Sequence, residues 1–249
     1  MYHAFDQAAV RTMLGVTPED TPKGLILHGV YAMPESAQRW RDRLANARVA
    51  KRAFNLVIGE HQGATVWYAP LLGAPMAAMV AHCAAVAGAQ CIVQIGSYGG
   101  TRKGLNIGDL LLVTSAGRGE AASDWYIPEG QPASPDERLM AWLRAALTRR
   151  GLPWHEGPVF TTPAFMAEKW EDIVRWEREG YAGVEMEAAA TFAVAQHFSV
   201  PSACLIYLED NLIEKRHILD NTVEDHLRTR QARTLIEDLA LEAIVSFQV

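Results

Sequence analysis

A chain of 249 residues, 49% of them hydrophobic, can bury a large core, and of one large domain or two small ones, one is expected. Its 23 Lys plus Arg against 29 Asp plus Glu leave a formal charge of -6, which argues against nucleic acid or an anionic membrane as the main partner. No run of about 18 uninterrupted apolar residues occurs, and MYHAFDQAAVRTML has no basic leader ahead of an apolar stretch, so a cytoplasmic protein is expected.

In chain order, residues 1–22 read as an N-terminal extension. GLILHGVY (24–31) follows the turn-forming TPK and is expected as the first core strand. PESAQRWRDRLANA (34–47) opens with Pro and keeps helical periodicity. FNLVIGEH and ATVWYAP flank Gln62-Gly63 in the manner of a hairpin. CIVQIG (91–96), DLLLVTSAG (109–117), YAGVE (181–185) and PSACLIYL (201–208) are short apolar runs of the buried-strand kind. Helices are expected at 74–88, 135–149, 186–198 and from about 222 to 245. The alternation predicts an α/β fold: a single domain over 1–249, three-layer α/β/α, with a central mixed sheet flanked by helices. Cys83, Cys91 and Cys204 lie in apolar runs without CxxC spacing or neighbouring histidines, so buried thiols are expected and no metal site.

Two stretches carry chemistry. YAGVEMEAAA (181–190) sets Glu185 and Glu187 around Met186 where a strand gives way to an alanine-rich helix. One acidic residue there is explained by helix capping. Two also fit a small-molecule crevice, which in α/β proteins opens at the carboxyl ends of strands. IVQIGSYGGTRKGLNIGDLLL (92–112) runs from a strand into Gly96, Ser97, Tyr98, Gly99 and Gly100, a loop whose amides can approach an anion or a sugar hydroxyl. Neither GxGxxG nor GK[ST] is present, which disfavours a dinucleotide or a nucleoside triphosphate.

Taken in order, GSYGG, NIGD, GPVFTTPAF, GVEMEAAA and a strand ending in Glu209-Asp210-Asn211 resemble the purine nucleoside phosphorylase and uridine phosphorylase superfamily, which includes nucleosidases. The resemblance covers about residues 24–235. It implies cleavage of the bond between ribose and base in a small-molecule nucleoside, without a cofactor, phosphate being a possible co-substrate. Glu187 would bind ribose hydroxyls, Met186 would pack on the sugar, and Glu185 would lie near the sugar edge. Asp210 would protonate the leaving base and tilts the substrate toward purines; capping of the segment from Asn211 is its alternative reading. Glu209 replaces the small hydroxyl residue usual before that Asp. Phe160 and Phe165 would lie against the base, with Trp125 and Tyr126 bordering the site, and Ser97 and Gly99 would serve it from the glycine stretch.

The anion site departs from the family pattern. Gly29 and Gln94 occupy two of its places without the expected arginines, and Arg52 alone fits the third, lent across a subunit interface. A homo-oligomer with shared sites is therefore implied, a dimer at least, or dimers assembled into a hexamer. Hydrolytic relatives activate water with a Glu shortly after the first strand, a place that Glu35 approximates; an exposed first-turn acid is the plainer reading. Arg102 and Lys103 are loop cations, and His28 and His61 read as structural. The resulting expectation is a nucleoside-cleaving enzyme with water favoured over phosphate as acceptor. The alternatives are a phosphorylase with a rebuilt phosphate site yielding ribose 1-phosphate, and a binding protein without turnover.

Overall fold

The computed structural model describes residues 5–50, 55–151 and 153–248. Nine strands and seven helices alternate along the described chain. Helix α1 (Gln7–Leu14) leads to β1 (Gly24–Gly29), α2 (Met33–Arg43) and β2 (Ala45–Val49). A hairpin of β3 (Val57–His61) and β4 (Ala64–Leu71) follows, then α3 (Ala74–Ala87), β5 (Cys91–Gly100) and β6 (Leu110–Arg118). The remainder is α4 (Glu137–Arg149), β7 (Trp154–Thr161), α5 (Trp170–Arg178), β8 (Gly183–Glu185), α6 (Ala188–Phe198), β9 (Ser202–Asn211) and α7 (Val223–Ser246).

The strands form one mixed sheet in the order β2-β3-β4-β1-β5-β8-β7-β6-β9, and β9 also pairs with β5. That extra pairing closes β5, β8, β7, β6 and β9 into a five-stranded ring, from which β1, β4, β3 and β2 extend as an open wing. Strands β1, β4, β5 and β9 run the same way, so Gly29, Leu71, Gly100 and Asn211 end on one side of the sheet. One apolar layer joins Trp40 and Tyr68 to α4 and α7 through Leu139, Ile236 and Ile244. The opposite layer packs Trp67 against Ala77, Ala81 and Val194, and it includes Val10 and Leu14 of α1, so the N-terminal extension contributes to the core. A third cluster joins Phe192 of α6 to Leu111, Ile206 and Leu208. The mixed sheet flanked by helices is thus observed, and the helices cover both faces because β1, β4, β5 and β9 are buried along nearly their whole length.

Two local differences have physical reasons. The expected helix 34–47 ends at Arg43, and the chain turns into edge strand β2, where Asn46 takes φ 52. Strand β2 lies close over Gly59 of β3, where an added Cβ would sit 2.7 Å from Leu44 Cβ; pairing with β3 overrides the helical pattern. The hairpin forms as expected, with Gln62 at φ 48 and Gly63 at φ 79, the pair of positive angles that a two-residue turn matched to strand twist requires. GSYGG, expected as a loop, is the end of β5: Tyr98 pairs with Leu208, and beyond a bulge Gly99 pairs with Asp210 and Val184. Strand pairing there occupies backbone groups that a loop would leave free to meet an anion. The glycines answer packing instead, since a Cβ on Gly99 or Gly100 would stand 2.7 Å from the Leu212 or Leu208 side chain.

Candidate active site

The two glutamates of VEMEAAA divide the labour of their junction. Glu185 ends β8, and its Oε2 accepts from the N–H groups of Glu187 (2.8 Å) and Ala188 (2.7 Å), the first free donors of α6. The Gln94 Nε2 donates to the same oxygen at 3.0 Å, and the Thr161 hydroxyl donates to Oε1. Thr161 in turn accepts from the Ala189 N–H at 3.0 Å. Glu185 therefore ties β5, β7, β8 and α6 together.

Glu187 turns the other way, toward the ends of β1 and β4. Its Oε1 accepts from the Gly73 N–H at 2.6 Å, and a Cβ on Gly29 would stand 2.5 Å from its Oε2. Gly73 takes φ 87 at the start of α3, a conformation that aims its N–H at the carboxylate and that glycine adopts without strain. Both glutamates are buried, and burial raises both carboxyls above the usual range; the Glu185 charge pushes Glu187 further. Four donors on Glu185 oppose the shift there.

Asp210, at the end of β9, is half-buried beside Gly99, whose added Cβ would stand 3.2 Å from its Oδ1. Burial lifts its carboxyl to about 6; His217 and the Ile218 N–H lower it, while Glu209 raises it. A third carboxyl, Glu168, follows the 3-10 turn Phe165–Ala167, and burial with the Asp210 and Asp172 charges lifts it to about 7 against the Thr162 hydroxyl. Tyr31, just past β1, joins the three: after its own partial burial, Glu187, Glu168 and Asp210 each raise its hydroxyl. The Tyr31 and Phe165 rings touch at a tilt, with centroids 5.6 Å apart and planes at 59°. The ends of β1, β8 and β9 and the turn after β7 thus bring Tyr31, Glu187, Asp210, Glu168 and Phe165 around one mouth.

Tyr31 and Glu168 are absent from the sequence expectations. The signals were an aromatic two residues beyond Gly29 and an acid three residues beyond GPVFTTPAF, both overshadowed by the search for arginines.

The remaining expected residues fall into place as follows. Met186 is half-buried at the junction, and Ser97, half-buried on β5, stands in register with Tyr207. Phe160 stacks on Trp176 at 4.8 Å and meets Tyr181 edge-on; a Cβ on Gly119 would clash with it at 2.4 Å. Phe160 is half-buried, and Trp176 occupies the ring face that stacks. Gln94 is buried, with its Nε2 on Glu185 and its Oε1 without a partner. Gly29 faces the Glu187 carboxylate rather than a cluster of donors. Glu35 is exposed in the first turn of α2, where a carboxylate complements the helix's positive end, as its plainer reading has it. Arg52 lies outside the described residues.

His28 is buried, held neutral by burial to about 3, and bonded to the Tyr68 hydroxyl at 2.7 Å; His61 closes the hairpin opposite Ala64. Trp125 is exposed, and Tyr126 packs with His82 and His197. The three cysteines are buried free thiols. Among the described residues no group of three or more His, Cys, Asp and Glu is placed to hold a metal ion, and no helix is long and apolar enough to cross a membrane.

Residues 30–245 match the sequence profile of the phosphorylase superfamily. The guanosine phosphorylase of Halorubrum lacusprofundi is 27% identical over 142 residues, covering 57% of this chain and 59% of that protein. The uridine phosphorylase of Thermococcus kodakarensis is 24% identical over 205 residues, covering 76% and 73%. A DeoD-type purine nucleoside phosphorylase of Clostridium beijerinckii is 24% identical over 128 residues, covering 51% and 54%. The match therefore spans little more than half the length of two of these relatives. In fold, the uridine phosphorylase of Vibrio fischeri ES114 superposes with a TM-score of 0.82 at 21% identity, over 95% of this chain and 98% of that one. With a profile match running from the end of β1 to the end of α7, the chain belongs to the phosphorylase superfamily.

Proposed function

We propose that this chain cleaves the N-glycosidic bond of a purine-type nucleoside, with water as the acceptor. The observation that carries the reading is the convergence on one mouth of Glu187 and a half-buried Asp210 whose proton is held to about pH 6. Glu187 accepts from the vicinal ribose hydroxyls, and sugar donors together with the developing oxocarbenium charge favour its ionised form. As the C1′–N9 bond breaks, its electron pair goes to the base, and Asp210 gives its proton to the imidazole-edge nitrogen. Water adds its oxygen to C1′, and the proton it sheds replaces the one Asp210 lost.

Water is favoured over phosphate by the polarity of the described groups. The Glu187 carboxylate lies against Gly29, and the Gln94 amide, its N–H held by Glu185, has a buried carbonyl oxygen free to accept. An entering dianion meets acceptors there, whereas water can donate to them. The second reading, phosphorolysis, draws support from the names of the relatives, all phosphorylases. In that case phosphate is a co-substrate, and Arg52 from a neighbouring subunit supplies charge. No other cofactor is proposed, and the assembly proposed is a cytoplasmic homo-oligomer, a dimer at least.

The test is release of free base from a panel of purine and pyrimidine nucleosides with and without millimolar phosphate. Phosphate-independent release with free ribose supports hydrolysis. Release that requires phosphate and yields ribose 1-phosphate overturns the choice of acceptor, and binding without release overturns cleavage itself.

A further inference from the structure

The Glu168 carboxyl is the one acid at the mouth to which the proposed chemistry gives no task. Its Oε1 is buried and has no hydrogen-bond partner. Its polar neighbour is the Thr162 hydroxyl, and the charged groups that face it are Asp210 from β9 and Asp172 from α5, with the Tyr31 hydroxyl across the mouth. Both charges are negative and the Thr162 hydroxyl is the donor that lowers this carboxyl, so donors for the unpartnered Oε1 must come from a ligand. The tilted Tyr31 and Phe165 rings beside it are both exposed and offer aromatic surface to one side of a flat heterocycle.

Resting on the reading of Asp210 as the acid that serves the imidazole edge of a purine, we propose that Glu168 reads the opposite edge, accepting from two adjacent N–H groups of a 2-amino-6-oxopurine. Guanine offers N1–H and its 2-amino group side by side, the spacing a carboxylate receives with both oxygens. Hypoxanthine offers one such donor. Adenine sets the N1 lone pair beside its amino group, so one carboxylate oxygen meets another acceptor. Discrimination of roughly tenfold to a hundredfold for guanosine over adenosine is expected from one bidentate pair. Burial and the neighbouring acids hold the Glu168 proton to about 7, so the preference for guanosine rises between pH 6 and pH 8 as the acceptor form appears.

The test compares the full-length protein with Glu168→Gln, measuring Kd for guanosine and adenosine by calorimetry alongside kcat/KM for each. An amide presents one acceptor and one donor, the complement of the adenine edge. The guanosine-to-adenosine ratio of affinities is expected to fall at least tenfold and to lose its rise with pH, while retained adenosine binding shows the variant is folded. A ratio and pH profile equal to those of the unaltered protein overturn the role of Glu168. So does an unaltered protein that binds neither nucleoside. Altered binding ratios in a protein that releases no base leave the base-reading role standing and overturn only the cleavage reading.

Discussion

Asp210 holds its proton to about pH 6 because burial outweighs His217 and the Ile218 N–H, with Glu209 adding to the rise. A general acid is competent only while protonated, so kcat/KM for a purine nucleoside is expected to fall as pH rises through about 6. Asp210→Asn should lower kcat by about a hundredfold or more and remove that descending limb, with nucleoside affinity changed only a few-fold. Unchanged turnover in this variant would show that the base leaves without help from residue 210. Glu187→Gln is expected to weaken binding and turnover together, because its contacts to the sugar exist in both states and strengthen as charge develops. Steady-state kinetics with ribosides and 2′-deoxyribosides reads this out: the variant should narrow the gap between the two. At this scale the doubled glutamate and Asp210 were legible in the sequence. The contrast between Glu185 as a brace and Glu187 as a mouth residue was not, because the direction of each side chain depends on Gln94 and Thr161, 91 and 24 residues away from Glu185.

Among the elements, the end of β1 and the start of α6 carry the site's geometry. Gly29→Ala puts a methyl where the Glu187 carboxylate lies, and a side chain's flexible end can yield without disturbing the strand. The expected outcome is a large loss of turnover with little change in thermal midpoint, checked by pairing a melting curve with the base-release assay. Glu185→Ala strips the partner from two helix-start N–H groups, the Gln94 amide and the Thr161 hydroxyl. A stability loss of about 2–4 kcal/mol by urea titration is expected, since buried donors left unmet cost about 1–3 kcal/mol each and relaxation recovers part. Sequence periodicity located β1, β4, β5, β6, β9 and the long helices. It extended α2 too far because LANA is as compatible with a helix as with an edge strand, and only the bare face of Gly59 decides the matter. It left GSYGG as a loop because glycine marks turns and close approach alike, and the leucines that approach come from Leu208 and Leu212, more than a hundred residues on.

For the whole molecule, the raised carboxyls make a collective statement about stability. Glu168, Glu187, Glu209, Asp210 and Glu237 all hold protons more tightly in the fold than free carboxylic acids do. The unfolded chain loses those protons near pH 4, whereas the fold keeps the Asp210 and Glu168 protons to about 6 and about 7. The unfolded state therefore gains as pH rises through that window, and the urea midpoint of the ligand-free protein should be lower at pH 8 than at pH 5.5. The shared-site proposal has its own measurement. In the phosphorolysis reading, mixing Arg52→Ala with Asp210→Asn should restore part of the phosphate-dependent activity that each lacks alone, because one hybrid site then has both residues intact; no recovery after subunit exchange would mean that Arg52 acts within its own chain or not at all.

Closure of β9 onto β5 has a consequence for how the molecule meets its neighbours. An open sheet of this size has two terminal strands at which another strand can add, but a ring has none, so among the described strands only β2 is a terminal strand. That border is short, shifted in register between Ala45 and Arg48, and carries the Arg48 cation, three features that discourage a foreign strand from docking. Self-association into fibrils is thus resisted at one place rather than two, and substitutions that flatten or neutralise β2 are the ones that would expose the chain to it.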